Sequence, residues 1–171
     1  MLLWKAPKNI TEIAQKVKED NHSRLSLAVV TVALSDEPAF KKNKFNWGKV
    51  SKFSNFNKLW QNNHKIDFCI TLSSDVWHSI LNMEQKEALI DLHLTRCDAE
   101  RVPEVIEENG KKKKVVDELG RIKYSNEIKL DEDGNPKWVV NPLGLEAFID
   151  NVKRYGLWCD ELNNFKSAIN E

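Results

Sequence analysis

Trp77-His-Ser-Ile-Leu-Asn-Met-Glu-Gln-Lys-Glu-Ala-Leu-Ile-Asp-Leu-His-Leu-Thr-Arg-Cys97 is the stretch on which the fold turns. Its second part has the marks of a helix running from Met83 to about Ala99. Asn82 and Gln85 have capping-box spacing, and Glu84 to Ala88 are good helix formers. Ala88, Leu89, Leu92 and Arg96 share one flank, and Ile90, Leu94 and Cys97 another. That arc is too wide for a surface helix and predicts a largely buried one. Asp91 falls off the face of His93, which suggests a residue facing solvent or supporting a neighbour.

Upstream, Leu25-Ser-Leu-Ala-Val-Val-Thr-Val-Ala-Leu34 is rich in β-branched residues and too continuously apolar for an exposed strand, so it predicts a central one. Lys44–Phe53 alternates roughly and predicts a half-buried strand, and Asp67–Leu72 another. Ser74 or Asp75 opens a short turn or helix carrying Trp77 and His78. A first amphipathic helix spans Asn9–Asp20, with Asn9 or Thr11 as its cap. Downstream, Pro103 and Asn109-Gly110 break the pattern. A strand is expected over Gly120–Leu130, a turn at Asp131–Gly134 and a returning strand at Lys137–Val140. Helices close the chain over Leu143–Tyr155, stopped by Gly156, and over Asp160–Ile169. The order is that of one α+β domain over residues 1–171, with its core at about 10–160 and a hairpin region at 100–136.

Composition bounds what such a chain does. It has 171 residues, 41% hydrophobic and 30% charged, with 6 Gly and 5 Pro, which excludes disordered and collagen-like classes. Lys+Arg and Asp+Glu are both 26, yet the zero net charge is split. Residues 1–66 carry 12 basic and 5 acidic side chains, and residues 67–171 carry 14 and 21. Three widely spaced cysteines, Cys69, Cys97 and Cys159, form no CxxC pair and fit a reducing cytoplasm rather than a disulfide framework. No apolar run has bilayer-spanning length, so the expected setting is the cytoplasm with no membrane partner. There is no GxSxG elbow, and Gly110 with its four lysines lacks Walker spacing.

The Trp77–Cys97 segment resembles the phage metallopeptidase family, small zincin-like proteins of phages and prophages. Members have Ala-Leu-Leu/Val-Asp-His-Glu-Leu-x-His-Cys on a helix, close to Ala88-Leu-Ile-Asp-Leu-His-Leu-Thr-Arg-Cys97. Asp131–Val140 is similar to the family's acidic hairpin, and Glu146–Trp158 to its closing helix. The resemblance implies a zincin-like fold: a small mixed sheet packed on a buried motif helix, with a C-terminal helix. It also exposes departures. Without a gap, the HExxH histidines fall on Leu92 and Arg96, and the glutamate general base falls on His93. Zincins need two imidazoles one helical turn apart and a carboxylate beside the metal-bound water. Leucine has no lone pair, and arginine brings a fixed positive charge. A His-Asp pair found before the family's last helix is replaced by Leu143-Gly144. The expectation is a pseudo-metallopeptidase with no catalytic residues and no cofactor. The alternative is a rearranged zinc site using His93 and Cys97, with His78 or Glu146 added.

A second constellation is basic and aromatic. Lys41, Lys42, Lys44, Lys49, Lys52 and Lys58 interleave with Phe45, Trp47, Phe53, Phe56 and Trp60. Lysines and exposed rings together suit single-stranded nucleic acid, whereas the bland alternative is a lysine-protected edge strand with core aromatics. The expected role is therefore binding or inhibition: a host or phage protein as partner, a host defence component being one such target, and nucleic acid as the alternative.

Overall fold

A computed structural model of the chain describes residues 1–41, 44–53, 66–108 and 110–169. It has the mixed α+β character the sequence predicts, in two compact units: residues 1–98 with 140–171, and residues 99–139.

The first unit is built on a four-stranded sheet of β1 (Leu3–Lys5), β2 (Val30–Ser35), β6 (Phe68–Ser73) and β5 (Lys49–Lys52), in the order β1-β2-β6-β5. Only the central β2–β6 pair is parallel, with Val32 opposite Ile70 and Leu34 opposite Leu72. Those four side chains, with Phe68 and Val50, are buried. Helix α1 (Lys8–Asn21) buries Ile10, Ala14 and Val17, and packs on β2 and on α2 (Met83–Leu94). Strand alternation sends Lys5, Thr31, Ala33, Cys69, Thr71, Lys49 and Ser51 to the opposite sheet face. Helices α3 (Leu145–Tyr155) and α4 (Asp160–Ile169) fall where the periodicity predicts them. Among the described residues, no helix is long and apolar enough to cross a membrane.

Several boundaries differ from the sequence expectation. The central strand starts at Val30 because Ser23–Leu25 forms a 3₁₀ turn, leaving Leu27 exposed. Neither Asn9 nor Thr11 caps α1; Pro7 holds the cap position without a side-chain hydrogen bond. The expected Lys44–Phe53 strand is two elements, β4 (Lys44–Phe45), paired with β3 (Phe40–Lys41), and β5. Gly48 separates them at φ 88°, and a Cβ there would lie 2.3 Å from the Thr71 carbonyl oxygen, so only glycine lets the backbone pass. Helix α2 has the expected capping box at Asn82 and Gln85 but stops at Leu94, and Cys97–Ala99 is strand β7.

The second unit is an open β meander. Strands β8 (Arg101–Pro103) and β9 (Val105–Glu108) are absent from the sequence expectation; β9 pairs with β10 (Lys111–Lys114), and β8 with β11 (Tyr124–Ile128). Asp117 and Asp131 shape its turns, each accepting two backbone N–H bonds on Oδ1. Strand β12 (Trp138–Val140) carries the chain back into the first unit.

Candidate functional site: the C-terminal half of the motif helix

The end of α2 and the residues just after it place Asp91, Leu92, His93 and Arg96 in four different environments. His93 is only 4% exposed. Its Nε2 lies 3.0 Å from the Trp47 carbonyl oxygen. That oxygen accepts only, so Nε2 carries the proton and Nδ1 is left with a lone pair. Nδ1 is buried without a partner. Burial pushes the His93 pKa down to about 4, helped by the Arg96 charge and opposed by the Trp47 bond, so the ring is neutral at pH 7.

Trp47 is itself fixed. Its ring stacks on Phe45 at 5.0 Å and meets Trp158 edge-on at 5.4 Å, and Phe45 contacts Phe40 at 5.1 Å. Phe45 and Trp47, two of the rings named for nucleic-acid stacking, therefore pack against other rings, while Phe56 and Trp60 lie outside the described residues. Trp158 Nε1 donates to Asn151 Oδ1 at 2.8 Å, and Asn151 Nδ2 donates to Asp91 Oδ2 at 2.8 Å. One chain of contacts thus runs from His93 through two tryptophans to Asp91.

Asp91 is the hub. Of the two expectations for it, facing solvent is overturned, because Asp91 is fully buried. Oδ1 accepts from His22 Nε2 at 2.9 Å and Asn21 Nδ2 at 3.2 Å, and Oδ2 accepts from Arg154 Nη2 at 2.7 Å. Burial alone would raise its pKa, but the bonds from His22, Arg154 and Asn151 outweigh this and hold the carboxyl below the usual range. The carboxylate ties α1, α2 and α3 together. A sequence signal existed in an acidic residue set among Leu89, Ile90 and Leu92, which demands a cation from elsewhere.

At the helix end, Arg96 Nε donates to the Asn141 carbonyl at 3.1 Å, and the Asn141 N–H donates to the Arg96 carbonyl at 2.8 Å. Arg24 caps the terminus, donating to the carbonyls of Leu94, Thr95 and Cys97 at 3.1, 3.1 and 3.2 Å. A guanidinium there satisfies orphan carbonyls and complements the helix dipole. Cys97 lies on β7, and its Sγ points to the His93 carbonyl at 3.6 Å rather than to the ring. Burial pushes this thiol up to about 12, so it is uncharged at neutral pH.

The family's zinc does not fit these donors. Leu92 is half-buried and has no lone pair, Arg96 carries a cation bound to a carbonyl, and His93 offers a single bare nitrogen. Asp91 is saturated by its own partners. His78 is exposed on the turn Val76–Ile80, and among the described residues no three His, Cys, Asp or Glu side chains are grouped to hold an ion. The Glu146 side chain lies outside the described ones. So do the side chains of Lys41 and Lys44 and the whole of Lys42 and Lys58, while Lys49 and Lys52 are exposed on β5.

No curated protein and no solved structure matches the chain. The family model described as "Putative phage metallopeptidase" matches residues 3–170, almost end to end. The motif helix, closing helices and hairpin that suggested the resemblance all fall within that match, and the chain belongs to the phage metallopeptidase family.

Proposed function

We propose that this member of the family has lost peptidase chemistry and acts by binding. The observation that carries the reading is what now occupies the three motif positions. His93 holds the Trp47 carbonyl and Arg96 the Asn141 carbonyl, while Leu92 is apolar. Hydrolysis by a zincin needs an open coordination position and a carboxylate poised beside it. Here the group at the general-base position is a neutral imidazole whose proton is committed to a carbonyl. The scaffold around it, from the Asp91 hub to the Arg24 cap, serves rigidity rather than turnover.

The test is metal content and peptidase activity of the purified protein after dialysis against zinc. Less than a tenth of an equivalent of bound zinc, with no cleavage of a mixed peptide library, is the expected result. Stoichiometric zinc that is lost on changing His93→Gln and Cys97→Ser would instead establish the rearranged site. Host or phage proteins, defence components among them, and nucleic acids remain the partner classes. The basic sheet surface favours an anionic one.

A further inference from the structure

The sheet face opposite the helices holds a cavity of about 430 Å³, lined among others by Leu3, Lys5, Lys49, Lys52, Cys69 and Thr71. Its volume is in the range of small-molecule sites. The strand register fixes its charge pattern. Lys5 pairs with Ala33, Ala33 with Thr71, and Thr71 with Lys49, so one row crosses all four strands with a lysine at each end. Three interstrand spacings put the two lysine Cα atoms about 14 Å apart. Thr71 stands between them, Thr31 and Ser51 flank Cys69 in the next row, and apolar surface comes from Leu3, Ala33 and Phe53. Lys52 adds a third cation at the rim.

Among the described residues no lining side chain is acidic, and none of the three lysines has an ion-pair partner. The Cys69 thiol is pushed up by burial, so it adds no negative charge at neutral pH. Cations at the ends, hydroxyl donors between and apolar walls complement a ligand with phosphates and a flat apolar body. We infer that this cavity binds a nucleotide through its phosphates, either free or as one unit of a single strand. The site is separate from the motif helix and does not depend on whether peptidase chemistry survives.

The test uses the full chain with a fluorescein-labelled twelve-residue oligothymidylate, followed by anisotropy across a salt series, with ATP as competitor. Single-strand binding weakens with salt by a slope of about −0.7 per phosphate neutralised, so Lys5→Gln with Lys49→Gln should flatten the slope by roughly 1.4 and cost roughly 25-fold at 0.1 M salt. Lys111→Gln with Lys112→Gln, an equal charge change on β10, should leave both unchanged. Bound oligonucleotide should also protect Cys69, but not Cys159, from N-ethylmaleimide. Displacement by ATP at equal nucleotide concentration identifies the free nucleotide as ligand, and resistance to it identifies the strand. The inference is overturned if neither probe binds, if the β10 variant weakens binding as much as the Lys5/Lys49 variant, or if Cys69 stays reactive when the probe is bound. Equal displacement by polyglutamate of matching charge overturns the phosphate assignment. None of these results bears on zinc content, which tests the loss of peptidase chemistry separately.

Discussion

Acidification should destabilise this fold through His93 well before carboxylates titrate. The folded ring has a pKa of about 4 against an ordinary 6.5. Between those values the unfolded chain binds a proton that the native state refuses, so stability is complete above pH 6.5 and falls as pH drops toward 4. The full shift corresponds to about 3 kcal/mol, and about 2 kcal/mol of it is lost between pH 7 and pH 5. The depressed carboxyls, Asp91, Glu100 and Asp117, act lower, because their contributions disappear only as pH falls below their ordinary values of 3.8 to 4.5. The window from pH 7 to pH 5 therefore separates imidazoles from carboxyls, and comparison with a His93 variant isolates this one.

Urea unfolding at pH 7, 6 and 5 measures the effect in the wild type and in His93→Gln, which keeps a donor for the Trp47 carbonyl but does not titrate. The variant starts less stable, and that offset is immaterial. What matters is that its stability should change about 2 kcal/mol less than the wild type's across the window. Equal pH dependence in the two proteins would refute the buried, carbonyl-bound assignment. So would a His93 ring that titrates near pH 6.5 by NMR.

Other consequences follow from the same geometry. Asp91→Asn should cost about 3 kcal/mol in urea melts, because it leaves Arg154 and buried His22 without their anion; a loss below 1 kcal/mol would show that the hub carries little stability. Arg24→Ala should cost about 2 kcal/mol and speed hydrogen exchange in the last turn of α2, since it uncaps the carbonyls of Leu94, Thr95 and Cys97. Gly48→Ala should lower stability by at least about 2 kcal/mol, from the positive φ and the approach to Thr71 together, and near-wild-type melting would contradict the tight passage.

The fold was legible where local pattern and tertiary burial agree. β2, β6, the start of α2, α3 and α4 each announce themselves by β-branched runs, a capping box or helical periodicity with a glycine stop. Legibility fails where partners far away decide. Helix α2 ends at Leu94 because Arg24, about 70 residues upstream, takes its carbonyls; nothing between Leu94 and Ala99 signals a stop. Strands β8 and β9 hide because Pro103 and the Glu107-Glu108 pair read as loop, β8 is only three residues long, and the exposed side chains of β9 leave no alternation to detect. Of the candidate site, the apolar side chain of Leu92 and the fixed charge of Arg96 were readable from residue chemistry alone. The Asp91 hub was signalled only by an acid in an apolar run, and its partners were not legible, since His22, Asn151 and Arg154 meet it only through folding.

That hub bears on why all the motif positions differ together. A glutamate at position 93, at the 4% exposure His93 shows, would face the Trp47 carbonyl. Without a metal nearby it would be a buried anion beside an electron-rich oxygen, and it would either take up a proton or destabilise the helix. A neutral imidazole reverses that relation, because Nε2–H donates where a carboxylate could only repel. An imidazole at position 96 could donate one N–H to the Asn141 carbonyl and offer its other nitrogen to a metal, whereas the Arg96 guanidinium makes that bond, stays charged and has no lone pair to give. The carboxylate is therefore tolerable only with a cation, and the cation only with its imidazoles. With a leucine at 92 and an arginine at 96, the physics of the buried site disfavours a glutamate at 93, and the helix is held by Asp91 on one side and Arg24 at its end.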